Sequence, residues 1–202
     1  MARHNGWRRT RAARGMLLGL ALMAGGCAST AGGPEVDRLA VLDPTEQMQA
    51  AVQAHASGDY EQAAEGFSRA ADALTGDPPN RAKALANLGA ALIGDGRYEK
   101  AVAALEEAKS IDPRQYQTRF NLGRAYTKLG RLQDARLSYM AAGQLAPNNP
   151  DVPYNLGILY EIYLNQPEDA LDAYRDYLAK GGAEATRVQA WITAIEQRQA
   201  TQ

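Results

Sequence analysis

The sequence predicts an all-α fold, a solenoid of stacked helix hairpins closed by a C-terminal capping helix. Two observations carry this. The triplets Asn87-Leu88-Gly89, Asn121-Leu122-Gly123 and Asn155-Leu156-Gly157 recur at a spacing of 34 residues. Gly96 and Gly130, Ala101 and Ala135, Ala108 and Ala142, and Pro113 and Pro147 repeat at that same interval and in one register. A fixed period of this length marks supersecondary units that bury their apolar faces against one another in series.

Taken in order, residues 44–79, 80–113, 114–147 and 148–182 form four such units, and residues 183–202 a capping helix and tail. Asp43-Pro44-Thr45-Glu46 opens the first with an N-cap, a proline at the first helical position and an acid in the capping-box position. Ala50 and Ala51 stand where the later units have Leu and Gly, and the four residues by which Gly58 to Gly96 exceeds the period are expected as an extra helical turn before Pro78-Pro79. Gly89, Gly123 and Gly157 fall inside first helices, where glycine costs about 1 kcal/mol relative to Ala, so a close helix approach must compensate. Leu105, Tyr139 and Tyr174 supply the large buried side chain of each second helix. Gly96 and Gly130 suit left-handed helix ends, and Pro113 and Pro147 stop the second helices. In the fourth unit one residue is added, Tyr163-Leu164-Asn165-Gln166-Pro167 replaces the glycine turn, and Tyr177 replaces a small alanine, so packing there must adjust. After Gly181-Gly182, Val188, Trp191, Ile192 and Ile195 make an apolar stripe at helical spacing, the solvating end helix that an open stack requires.

The repeat length, the glycine and alanine positions and the terminal proline resemble the tetratricopeptide repeat across residues 44 to about 198. The resemblance implies a right-handed superhelix whose concave face is lined by the first helix of each pair and holds peptide segments. Counted from the repeat glycines, that face carries Lys83, Asn87 and Ala90, then Gln117, Phe120, Asn121, Arg124 and Lys128, then Tyr154, Asn155, Ile158 and Glu161. Leu122 and Leu156 already face the core, so Phe120, Tyr154 and Ile158 are not obliged to a structural role, the other reading of Phe120 and Tyr154 being packing against the neighbouring repeat. Arg124 and Lys128 share a face at i and i+4. Together these residues suggest a groove for an extended or helical segment with apolar anchors and an acidic group. The asparagines are also common in this repeat for structural reasons, and the set of basic and Asn residues seen in carboxylate-clamp repeats is incomplete here.

The first 26 residues read as an export signal. Arg3, Arg8, Arg9, Arg11 and Arg14 form a basic region, and Met16 to Ala24 an apolar run too short for the roughly 20 residues of a membrane-spanning helix. Ala24-Gly25-Gly26-Cys27 resembles the lipobox of bacterial lipoprotein precursors, with Ala24 where Leu is usual. The resemblance implies cleavage before Cys27 and lipidation of its sulfur and amino group, more than one acyl chain being what stable anchoring takes. The other reading is a free thiol beside an ordinary cleavage site. Residues 27–43 are then a tether of small residues, at most about 50 Å long through Leu42 at ~3.3 Å per residue. Ala28 after the cysteine leans the expectation towards the periplasmic face of the outer membrane.

Removing the signal removes five arginines and no acid, leaving 17 basic against 23 acidic side chains and a net charge of −6. That balance argues against a nucleic-acid surface. His55 is the only histidine left, Cys27 the only cysteine, and no phosphate-binding glycine loop or metal spacing appears, so neither catalysis nor a cofactor is expected. The expected function is a protein-protein interaction scaffold of the bacterial envelope. In layout it resembles lipoproteins of type IV and tight-adherence pilus systems, including secretin pilotins, and also adaptors of peptidoglycan synthases or hydrolases. The expected partners are envelope proteins or their peptide segments and, through the anchor, the membrane, with Trp191 a candidate homodimer contact. Substituting Cys27→Ser is expected to abolish labelling by an alkyne fatty acid and to shift the protein out of the membrane fraction. Labelling that persists would remove the lipid anchor.

Overall fold

The computed structural model describes residues 43–201. The signal, Cys27 and the tether through Leu42 lie outside the described residues. Among the described residues the chain is helical throughout: α1 (Pro44–Ser57), α2 (Tyr60–Ala73), α3 (Pro78–Gly94), α4 (Tyr98–Ile111), α5 (Tyr116–Lys128), α6 (Leu132–Leu145), α7 (Asp151–Ile158), a π-helical continuation (Leu159–Tyr163), α8 (Pro167–Ala179) and α9 (Ala185–Ala200). Each odd-numbered helix pairs with the next as a hairpin, and α9 closes the series against α8.

The glycines explain the hairpin geometry. A Cβ built on Gly89 would lie 2.3 Å from Leu105 Cγ, one on Gly123 2.6 Å from the Tyr139 ring, and one on Gly157 2.3 Å from the Tyr174 ring. Each second helix thus presses its largest side chain onto bare backbone of the first, and Leu105, Tyr139 and Tyr174 are buried to within 2 %. In the first hairpin the contact is reversed. Ala51 carries the side chain and Gly66 on α2 is bare, with its built Cβ 2.8 Å from Ala51 Cβ.

Four turns share one closure. Gly58, Gly96, Gly130 and Gly181 adopt φ of 83°, 78°, 71° and 71°. In each, the glycine N–H and the next N–H return to carbonyls of the last helical turn, as in Gly96 to Ile93 and Arg97 to Leu92. This is the Schellman arrangement that satisfies orphan carbonyls. Pro113 and Pro147 act from two residues beyond α4 and α6. The residue before each, Asp112 (φ −127°, ψ 92°) and Ala146 (φ −136°, ψ 71°), has left the helical region, as the proline ring requires. The capping box at Asp43 forms: its carboxylate accepts from the Thr45 and Glu46 N–H groups, which holds its pKa below the usual range, and Glu46 accepts from the Asp43 N–H.

The four-residue excess in the first repeat does not extend α2. Helix α2 has 14 residues like α4, and the added turn opens α3, which has 17. Pro78 and Pro79 occupy its first turn, where their missing N–H groups cost nothing, and Asp77 caps it by accepting from the Asn80 N–H. The single extra residue of the fourth unit is absorbed by the π segment, whose wider ring takes one more residue per turn. Asn165, at φ 51°, takes the left-handed position that glycine holds elsewhere. Tyr177 is accommodated because Gly182 lies under its ring, a built Cβ there falling 2.0 Å from it, and because its hydroxyl accepts from the Glu184 N–H at 2.7 Å.

Adding a methyl at Gly89 is expected to destabilise the protein, because an overpacking cost of about 1–3 kcal/mol exceeds the ~1 kcal/mol gain in helix propensity. In a Leu105→Ala background the same Gly89→Ala change is expected to be neutral or stabilising in urea denaturation. Equal cost in both backgrounds would remove Leu105 as the cause.

Candidate interaction groove

First helices α3 and α5 touch one another directly, whereas second helices touch each other at most marginally, so the first helices line the inner side of the stack. Between α1 and α3 this inner side opens into a groove of about 570 Å³, walled by Pro44, Met48, Val52, Leu74 and Asn80 among others. Asn80, in the added first turn of α3, is part of its wall. Val52 is 51 % exposed on its wall. Further along the same seam, a cavity of about 190 Å³ is bounded by Val52, His55, Phe67, Asn87 and Ala90. Met48, Val52 and Leu74 were not among the residues expected from the sequence. The signal that finds two of them is Gly58, which places Ala51 where Gly89 stands in the next repeat, and Met48 and Val52 then fall at inner positions.

The residues expected on the inner face divide into two groups. Lys83, Arg124 and Lys128 are exposed. Lys83 reaches the Asn80 carboxamide oxygen at 3.4 Å, and Arg124 donates to Asn121 Oδ1 at 3.2 Å. Among the described residues, none of these three cations has a carboxylate within ion-pair distance, which is true also of Lys100 and Arg136 on second helices, whereas Arg81 on α3 and Arg69, Lys109 and Arg175 on second helices each pair with one. Asn87 and Asn121 are half-buried and available along the seam. Asn155 is committed locally, its Nδ2 donating to the Asp151 carbonyl at 2.7 Å.

Phe120, Tyr154 and Ile158 all pack against neighbouring side chains, which for Phe120 and Tyr154 is the second of the two readings the sequence allows. Phe120 stacks on Tyr116 at 5.6 Å and meets Tyr139 edge-on at 5.7 Å. Tyr154 packs against Tyr177 at 5.2 Å and Trp191 at 5.9 Å, and Ile158 joins the same cluster. The reason is positional: the fourth hairpin has no following first helix, so α9 takes that place and covers its inner residues. Trp191 therefore packs on the stack, 5.5 Å from Tyr174, and stays half-buried. Glu161 is also engaged, accepting from Tyr174 Oη at 3.0 Å and Arg198 at 2.7 Å. Arg175 to Glu196 and Gln199 to Glu168 complete the polar rim of α9.

The buried tyrosines are held neutral. Burial pushes the Tyr139 hydroxyl up to about 12, partly offset by the hydrogen bond with Thr127 and the nearby Arg124 charge. Burial, then the hydrogen bond to Glu106, does the same to Tyr126, also to about 12. Tyr116 rises to about 12 through burial and the Asp151 charge, and Tyr174 is raised by burial and Glu161. Among the described residues no cluster of His, Cys, Asp or Glu could hold a metal ion, and no helix is long and apolar enough to cross a membrane.

Comparison with known proteins agrees with this geometry. Family models described as tetratricopeptide repeat match residues 49–116 and 92–152, which together cross just over half of the 202 residues. The chain belongs to the tetratricopeptide-repeat proteins, whose repeats generally mediate protein-protein interactions. Protein O-mannosyl-transferase TMTC3 of Mus musculus is 30% identical over 114 residues, 50% of this chain but 12% of that protein. Its human counterpart is 29% identical over a stretch of the same length. The chain thus spans about an eighth of these curated relatives. Among solved structures, MamA residues 41 to the end from Desulfovibrio magneticus RS-1 superposes with a TM-score of 0.66 at 19% identity, covering 78% of this chain and 85% of that one. The thermophilic tetratricopeptide-repeat protein TTC0263 of Thermus thermophilus gives 0.62 at 20% identity, covering 77% and 82%. The type III secretion translocator chaperone SycD of Yersinia enterocolitica gives 0.57 at 16%, covering 60% and 88%. At these identities the likeness is one of fold.

Removing the indole with Trp191→Ala is expected to raise hydrogen exchange of residues 185–200 by about tenfold or more, a loss of ~1.4 kcal/mol or more of local protection, with α1 to α4 unchanged. Unchanged exchange in α9 would mean that the polar rim alone holds it.

Proposed function

We propose that this chain is a non-enzymatic interaction scaffold, tethered by lipidated Cys27 to the periplasmic face of the outer membrane, which assists assembly of a pilus or secretion complex. The observation that carries the reading is the groove between α1 and α3, which continues along the same seam to Asn87 and Ala90 of α3. A repeat stack whose described residues leave such a seam uncovered, while α9 covers the last hairpin, has a surface suited to a partner segment. The lipobox-like Ala24 to Cys27 and the preceding basic and apolar regions support the envelope location. The fold shared with a secretion translocator chaperone supports the pathway at the level of architecture. The non-catalytic reading is supported by a repeat fold that typically serves as scaffold.

A photo-crosslinking amino acid at Val52 is expected to trap a pilus or secretion component in the native envelope, while one at exposed Leu137 on α6 does not. A peptidoglycan synthase or hydrolase trapped at Val52 would keep the scaffold and replace the pathway. Trapping at Leu137 alone would move the binding face to the second helices.

A further inference from the structure

Two consecutive inter-repeat positions on the outer side of the stack differ in one respect: the second is filled and the first is open. Between α4 and α6 the place is taken by Tyr126, which is buried. Its hydroxyl donates to Glu106 at 2.9 Å, and the Arg131 guanidinium lies 4.3 Å from its ring centroid, held by Asp134. Ring, carboxylate and guanidinium thus tie α5 to α4 and to the start of α6. Between α2 and α4, the repeat interval puts Leu92 where Tyr126 stands, Arg97 where Arg131 stands and Lys100 where Asp134 stands. Counted from Gly58 and Gly96, Ser68 takes the place of Glu106. The guanidinium is kept, while the ring and both carboxylates are gone. What remains is a cavity of about 520 Å³, floored by Leu88 and Leu92 and rimmed by Arg69, Arg97 and Lys100, a volume within the range of small-molecule sites.

The charges at its rim are unbalanced by one. Arg97 meets Asp95 at 3.2 Å and Arg69 meets Glu65 at 3.8 Å, while Lys100 has no carboxylate within ion-pair distance among the described residues. The side chains of Leu92, Ala64 and Ala104, buried in the floor and walls, are aliphatic and offer water no hydrogen bond, so that part of the space favours an apolar body over ordered water.

We propose that this outer cavity binds a small aromatic carboxylate, its ring lying on Leu88 and Leu92 beside Arg97 and its carboxylate meeting Lys100. Such a ligand restores what Tyr126 and its carboxylate partner supply one repeat on. A ring beside a guanidinium gains a cation–π attraction that a saturated ring lacks, and a charge-assisted hydrogen bond to the ammonium is stronger than a neutral one. The single surplus positive charge suits a monoanion, whereas a phosphate monoester carries about two negative charges at neutral pH. The site does not depend on the groove between α1 and α3. An occupant braces α2 against α4 on the outer side and, by binding only the folded stack, raises its stability by mass action.

The test is methyl NMR of the full chain in detergent, titrated with phenylacetate, with detergent alone as the reference for partitioning. The Leu88 and Leu92 methyl signals are expected to move by ring current and to saturate with a dissociation constant of about 1 mM or lower, the affinity so small a ligand reaches. Cyclohexylacetate and the neutral phenylacetamide are each expected to bind about tenfold more weakly, the first losing the cation–π contact and the second the charge. Lys100→Gln is expected to weaken phenylacetate about tenfold and to leave phenylacetamide unchanged, whereas Lys128→Gln on α5 changes neither. Leu92→Tyr, which puts the ring of the next repeat into the cavity, is expected to abolish binding, and circular dichroism confirms folding of each variant. Absence of a saturable shift at Leu88 and Leu92 would overturn the proposal, as would equal affinity for the acid and the amide. Affinity that survives in folded Leu92→Tyr would place the ligand elsewhere and overturn it as well. A blocked Tyr-Glu dipeptide that displaces phenylacetate from these methyls and binds about tenfold tighter would assign the cavity to side chains of a partner protein and overturn the small-molecule assignment. Crosslinking at Val52 is untouched by all of these outcomes, so the groove between α1 and α3 stands or falls separately.

Discussion

The fold depends on one recurrent contact, in which a large side chain of each second helix lies on backbone of the first that bears no Cβ. With Leu105 on Gly89, Tyr139 on Gly123 and Tyr174 on Gly157, the two helices of a hairpin approach closely enough to bury the knob fully. The alanines at 101, 108, 135 and 142, each fully buried, let the next helix come equally close. An apolar core built so largely of alanine draws little transfer free energy per residue, so close packing over many contacts must supply the remainder. The glycine contact is what makes that packing reachable in the last three hairpins, and Gly66 against Ala51 does the same in the first.

The same contact carries chemistry to the inner side of the stack. Tyr174 crosses its glycine and meets Glu161, a residue at an inner position of the first helix, and Arg198 of α9 meets that carboxylate from the other side. Tyr139 crosses Gly123 and has Arg124 among the charges that act on its hydroxyl. Inner polar groups of the fourth hairpin are thereby consumed by the capping helix, while those of the second and third remain open. Among the described residues the stack is consequently asymmetric along its length: closed where α9 docks and open where α1 meets α3.

Most of the architecture was legible in the sequence because the repeat writes its contacts as glycine, alanine and proline at fixed intervals. The helix pairs, the left-handed turns at Gly96 and Gly130, the proline stops and the capping helix all follow from those residue types. The misplaced turn before Pro78 had a physical source. A four-residue insertion is one whole turn, so it preserves helical phase on either side of the prolines, and only the cap at Asp77 distinguishes the two. The site was less legible. Tyr154 and Ile158 sit at inner positions by counting, but counting within a hairpin says nothing about whether another helix covers it. Met48 and Val52 escaped for the opposite reason, since Ala51 and Gly66 exchange roles and the first repeat lacks the glycine from which inner positions are numbered.

The π segment at Leu159–Tyr163 gives the fourth hairpin a different relation to chain length from the three before it. In the earlier hairpins every glycine turn is locked to a single register, so a lone inserted or deleted residue rotates all that follows by about 100°, one residue's share of an α-helical turn. The widened ring and left-handed Asn165 instead take up one residue and return the chain to register at Pro167. The end of the stack next to α9 therefore accommodates a change in length of a single residue, while elsewhere only a whole turn keeps the register, which is the size of the excess at α3.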